Sequence, residues 1–151
     1  MTAVPECEVL AVDRGPGAVA ALRDLARNHH AARGAAHVSR SYRPPLAVVA
    51  WHSARVGVDV ERLEPMGRDF ADSICTPSER VQLDSQLDDD EIVASLWCAK
   101  EALAKVLGDA VDYDPRRLEA PLLWKQGSCG RWRARTVEVP AGHICWLVWQ
   151  V

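Results

Sequence analysis

No stretch of this 151-residue chain strings together the roughly 18 apolar residues that a membrane-spanning helix needs, which excludes a helical membrane protein. The N-terminus, "MTAVPECEVLAVDRGPG", lacks a basic start followed by an apolar segment, so a cytoplasmic protein with no membrane partner is expected. The five cysteines (Cys7, Cys75, Cys98, Cys129, Cys145) are odd in number and scattered, without the close pairs that zinc sites and redox motifs need. They are read as reduced, mostly buried thiols. No G-x-x-x-x-G-K-[ST] or G-x-G-x-x-G loop occurs, and His52 beside Ser53 has no nucleophile elbow around it, so P-loop, dinucleotide and serine-hydrolase classes fall away. Excess positive charge is also missing: the formal net charge is −3, which gives no sign of a nucleic-acid partner. Internal repeats and low-complexity linkers are absent.

What remains is an ordinary one-domain composition, 48% hydrophobic and 26% charged, in a chain long enough to bury a core. "CEVLAV" (7–12) reads as a strand, "RGPG" (14–17) as a turn, and residues 18–33 as a helix ended by Gly34. Residues 45–53 and 55–61 read as two strands, most simply a hairpin turning near Ser53. Thr76, Pro77 and Glu79 spell an N-cap, a first helical position and a capping box. "LDDDE" (87–91) opens the longest helix, about 90–108, with Gly108 as its stop. Three strands are expected beyond it, in "LLWKQ", "GRWRARTVEV" and "HICWLVWQV". The fold class is therefore α+β, an antiparallel sheet packed against a long helix.

Two pieces of chemistry stand out. In "VGVDVE" (56–61) alternation sends Val56, Val58 and Val60 one way and Gly57, Asp59 and Glu61 the other, leaving two carboxylates side by side. They form either a cation-binding pair or a charged, half-solvated strand face. In "WCAKEALAK" (97–105), Trp97, Lys100, Glu101 and Lys105 gather beside an apolar stripe of Leu96, Ala99, Leu103, Val106 and Leu107. Alone, that face reads as a solvated one with a Glu101 to Lys105 pair. His29, His30 and His37 could suggest a metal cluster, but adjacent histidines at a helix end point apart, and solvated or capping roles suffice.

Taken together, "GVDVE", then "TPSER", then "WCAKEALAK" resemble the 4′-phosphopantetheinyl transferase superfamily, with its G-x-D strand and W-x-x-K-E-x-x-x-K helix. The resemblance runs from about Ala36 to the C-terminus. Glu61 two positions after Asp59, and Trp97 ahead of the K-E pair, bring it nearer the surfactin-type branch than the short trimeric carrier-protein synthases. It implies one transferase-like domain over 1–151, with 36–151 as the core carrying the motifs and 1–35 as a reduced remnant of the N-terminal half. The implied reaction is Mg²⁺-dependent transfer of the phosphopantetheine arm of coenzyme A to a serine of an acyl or peptidyl carrier protein, a holo-carrier-protein synthase activity. Its Mg²⁺ ligands would be Asp59, Glu61 and Glu101; Glu101, directly or through a metal-held water, would be the general base, Glu79 would help hold that water, and Lys105 and Lys100 would stabilise the phosphate charge and the leaving group. Ser39, Arg40 and Ser41 resemble the family's phosphate-contacting segment, with Arg40 where a histidine is usual. Arg23, Arg27 and Arg33 could replace basic surface of the reduced half, or a homo-oligomer could complete the coenzyme cleft. Arg80 is a plausible carrier-docking residue. The competing expectation is a relative that keeps the fold and the acids but serves as an auxiliary protein or catalyses another reaction.

Overall fold

A computed structural model describes residues 3–108 and 112–151. Among the described residues, seven strands and four α-helices fold as two antiparallel sheets with helices packed on them. The first sheet has the order β1-β3-β2, from β1 (Glu6–Ala11), β2 (His37–Arg43) and β3 (Leu46–His52). Helix α1 (Ala18–Arg27) covers one of its faces, packing Leu22 and Ala26 on Ala47 and Val49. The second has the order β4-β7-β6-β5, from β4 (Val56–Arg62), the two-residue β5 (Ser128–Cys129), β6 (Trp132–Thr136) and β7 (His143–Gln150). Helix α4 (Asp90–Leu107) lies on it, and the Trp146 indole N–H donates to Ser95 Oγ at 2.8 Å to pin helix to sheet. Short helices α2 (Arg68–Ile74) and α3 (Pro77–Leu83) close the end of α4 through Ile74, Leu83, Leu87 and Leu96.

The helix ends follow local chemistry. Thr76 and Glu79 form a reciprocal capping box with Pro77 behind it, Asp89 caps α4, and Gly108 ends α4 at φ 87°, a left-handed conformation that favours glycine. Among the described residues no helix is long and apolar enough to cross a membrane.

Three expectations are corrected. The strands on either side of Ser53 are not a hairpin: β3 has both edges taken, by β1 and β2, while β4 pairs with β7 in the other sheet. The helix expected to reach residue 33 ends at Arg27, where Asn28 donates through backbone and side chain to Asp24 O, and a 3₁₀ turn (His30–Ala32) follows. "LLWKQ" is no strand but two 3₁₀ turns, Pro121–Leu123 and Lys125–Gly127. Pro121 starts the first, Gln126 and Gly127 have positive φ, and Leu122 and Trp124 pack in the cluster beneath α4 rather than along a sheet edge.

The two sheets meet where β2 runs beside β4. Ser39 Oγ accepts from Val58 N and Ser41 Oγ accepts from Val60 N, both at 3.0 Å. Side-chain hydroxyls thus satisfy amides of β4 that would otherwise face β2 unpaired. β1, from the first 35 residues, shares its sheet with two strands from beyond residue 36.

Candidate active site

Gly57 brings β4 against α4. A Cβ there would collide with the Ala102 carbonyl oxygen and stand 2.9 Å from Val106 N, so only glycine permits this approach. The valines of β4 join the core with Val48, Ala50 and Leu147, and Asp59 and Glu61 are turned inward on the other face, 5% and 6% exposed. The reading of these acids as a solvated strand face is thereby set aside.

Each carboxylate has a specific setting. Asp59 Oδ1 accepts from Lys105 Nζ at 2.9 Å and from Ser41 Oγ at 3.0 Å, whereas Asp59 Oδ2 is buried with no partner. Lys105 spends its other protons on Val58 O at 2.9 Å and Arg40 O at 3.4 Å. Glu61 is gripped by Arg43, whose Nε and Nη2 donate to its two oxygens at 2.7 and 2.8 Å. Burial, then the charge of Asp59, pushes Glu61 up to about 7 against the pull of Arg43. Glu101, one helical turn before Lys105, accepts a short hydrogen bond from the Tyr113 hydroxyl. Burial raises Glu101 above the usual carboxylate range, and burial and Glu101 together raise Tyr113. Trp97 stacks on Tyr113 with ring centres 6.4 Å apart, and Phe70 meets Trp97 edge-on at 5.6 Å. Trp97 therefore packs beside the acid set, through Tyr113.

Lys100 and Glu79 form a different centre. Both are fully buried, and Lys100 Nζ donates to Glu79 Oε2 and Ile74 O at 2.6 Å and to Pro115 O at 2.7 Å. Glu79 also accepts from Thr76 N at 2.8 Å and Ala120 N at 2.7 Å. Burial lowers the affinity of Lys100 for its proton while Glu79 raises it. One residue along a helix is a rotation of about 100°, which sends Lys100 toward α3 and Glu101 toward β4.

Of the expected phosphate-contacting segment, the Ser39 and Ser41 hydroxyls lie in the seam between the sheets. Arg40 points to the other side of its strand and donates from Nε to Ala26 O at 3.0 Å. Arg23 and Arg27 line a cavity of about 500 Å³ beside α1. A cavity of about 290 Å³ at one end of the seam is lined by His37, Arg55, Lys105 and Gly108. Arg80 lines another, of about 570 Å³, with Arg116 and Arg117.

Sequence reasoning missed Arg43 and Tyr113. Arg43 was findable, because alternation along β2 puts residues 39, 41 and 43 on one side. Tyr113 carried no signal, since it reaches Glu101 from a loop.

Among the described residues no group of three His, Cys, Asp or Glu side chains is poised to hold a metal ion as it stands. The donor set nevertheless suits a small hard cation: all three candidates are carboxylates, and Asp59 presents a buried oxygen with nothing bound to it. Both Glu61 oxygens are held by Arg43, while Glu101 accepts from Tyr113 on one oxygen. A family model described as the 4′-phosphopantetheinyl transferase superfamily matches residues 55–147, more than half of the chain. The matched stretch contains Asp59, Glu61, Glu79, Lys100, Glu101 and Lys105, and leaves out Ser39, Arg40 and Ser41. No curated protein matches the chain.

Proposed function

The chain belongs to the 4′-phosphopantetheinyl transferase superfamily, and on that premise we propose that it moves the phosphopantetheine arm of coenzyme A to a serine of an acyl or peptidyl carrier protein. The observation that carries this reading is the buried Asp59 carboxylate, tied to Lys105 on one oxygen and free on the other, inside the matched stretch. In the reaction the serine oxygen forms a bond to the phosphorus bearing the pantetheine arm. The bond from that phosphorus to the bridging oxygen breaks, and adenosine 3′,5′-bisphosphate leaves.

Asp59, Glu61 and Glu101 are the residues that would hold Mg²⁺, which when bound offsets pyrophosphate charge that the protein's cations alone would have to meet. Glu101 accepts the serine proton, directly or through a metal-held water, once it parts from Tyr113. Lys105 presents its ammonium beside Asp59, where charge builds on the departing phosphate. We assign Glu79 and Lys100, given their burial, to holding α4 and the loop around Pro115 and Ala120 in place. We propose that coenzyme A lies along the seam of β2 and β4, supported by the cavity lined by the basic His37, Arg55 and Lys105. The surfactin-type branch fits the Asp59 and Glu61 spacing and Trp97. A homo-oligomer could complete the cleft, which light scattering tests.

One feature favours the second reading, a relative without transferase activity: both Glu61 oxygens are already satisfied by Arg43. Incubation with Mg²⁺, coenzyme A and several apo carrier proteins, followed by mass spectrometry of the carriers, separates the two. Addition of the phosphopantetheine arm supports the transferase; no addition to any carrier sinks it in favour of the relative.

A further inference from the structure

At the seam Lys105 pairs with Asp59 and Arg43 with Glu61, and the third carboxylate, Glu101, sits one helical turn before Lys105 on α4. The two cations are held very differently. Lys105 comes from the helix, is 24% exposed, and has three acceptors. Arg43 comes from the end of β2 in the other sheet; its side chain is 45% exposed while that of Glu61 is 8% exposed. Its other bond, from Nη1 to Tyr42 O at 3.1 Å, is local. Apart from the Glu61 fork, Arg43 has only that local bond to give up on swinging into water, whereas Lys105 is tied to three acceptors.

The fork of Arg43 covers both oxygens of Glu61, so a cation approaching that carboxylate meets a guanidinium already there. Charge counting points the same way. A divalent ion together with Lys105 balances three carboxylates, whereas keeping Arg43 as well leaves a surplus positive charge beside the ion. Resting on the metal reading proposed above, we infer that Arg43 is a built-in competitor for the divalent cation: it satisfies Glu61 while the site is empty and must leave for the metal to bind. Arg43 is thus a positioning residue acting through Glu61. It trades metal affinity for a stable metal-free fold.

The test is Mn²⁺ binding, read by the loss of the free-ion electron paramagnetic resonance signal, in the parent, Arg43→Met, Arg43→Lys and Arg62→Met. Arg62 is the control. It is a nearby exposed arginine bonded to Pro44 O, so its loss removes the same charge without touching Glu61. Arg43→Met should tighten Mn²⁺ binding roughly fivefold to tenfold, the scale of a charge-assisted pair at a half-exposed site. Arg43→Lys, which keeps the charge but not the fork, should fall between, and Arg62→Met should stay near the parent. In a Glu61→Gln background, Arg43→Met should bring no gain. Without metal, Arg43→Met should also melt at a lower temperature than the parent. Equal or weaker Mn²⁺ binding by Arg43→Met overturns the inference and leaves the metal reading standing. The same gain in Arg62→Met, or a gain that survives Glu61→Gln, overturns it as a bulk charge effect. Absence of saturable binding in every form overturns it together with the metal reading.

Discussion

Lys100 and Lys105 sit five residues apart on one helix and spend their protons in opposite ways. Lys100 is sealed among Glu79, Ile74 O and Pro115 O, whereas Lys105 reaches the acid set at the seam. Removing one partner of a buried pair strands the other charge. Lys100→Met should therefore destabilise the fold by about 3 to 5 kcal/mol, and Lys100→Met with Glu79→Gln should recover much of that loss, as urea unfolding would show. A smaller loss in the single variant would mean that Glu79 finds another partner. Ser41→Ala removes the acceptor of Val60 N and one donor to Asp59, and should cost about 1 to 3 kcal/mol by the same measurement. Residue types were legible in the sequence at these positions, but their directions were only partly so. Spacing alone placed Trp97, Lys100, Glu101 and Lys105 on one chemical face, and the turn of one residue that separates Lys100 from Glu101 depends on what α3 offers nearby.

At the scale of elements, β4 and α4 form the unit on which the site is built. Gly57 sets their separation, since a Cβ there would strike the Ala102 carbonyl. Gly57→Ala should destabilise by about 3 kcal/mol, because neither backbone can yield without moving Asp59 or Lys105, and should weaken Mn²⁺ binding even where the variant folds. Thermal unfolding with and without the ion measures both; a variant matching the parent would show that the two elements slide freely. The α4 boundaries and the capping box at Thr76 were readable because caps are local: one side chain, one turn, one glycine. Strand pairing was not, because it is set by partners far along the chain. Nothing within residues 45–62 reveals that β1 takes the free edge of β3, or that β7 claims β4 from nearly ninety residues away. Similarly, the apolar "LLW" pattern serves a 3₁₀ turn under α4 as well as it would a strand.

For the molecule as a whole, two sheets with a helix on each are joined along a line of serine hydroxyls, and the charged side chains beside that line come from both. A cation drawing Asp59, Glu61 and Glu101 together would bind the folded chain alone and so stabilise it. At a concentration 100 times the dissociation constant the gain is about 2.7 kcal/mol, seen as a higher melting temperature that Asp59→Ala should not show. No shift in the parent would count against the cation site. The central claim, that this acid set is a phosphopantetheine transfer centre, is tested most directly by the initial rate of arm transfer from coenzyme A to an apo carrier protein, followed by mass spectrometry for the parent, Asp59→Ala and Glu101→Ala. The account predicts transfer by the parent and a loss of at least about a hundredfold in each variant. Transfer by either variant at a rate near the parent's would contradict it.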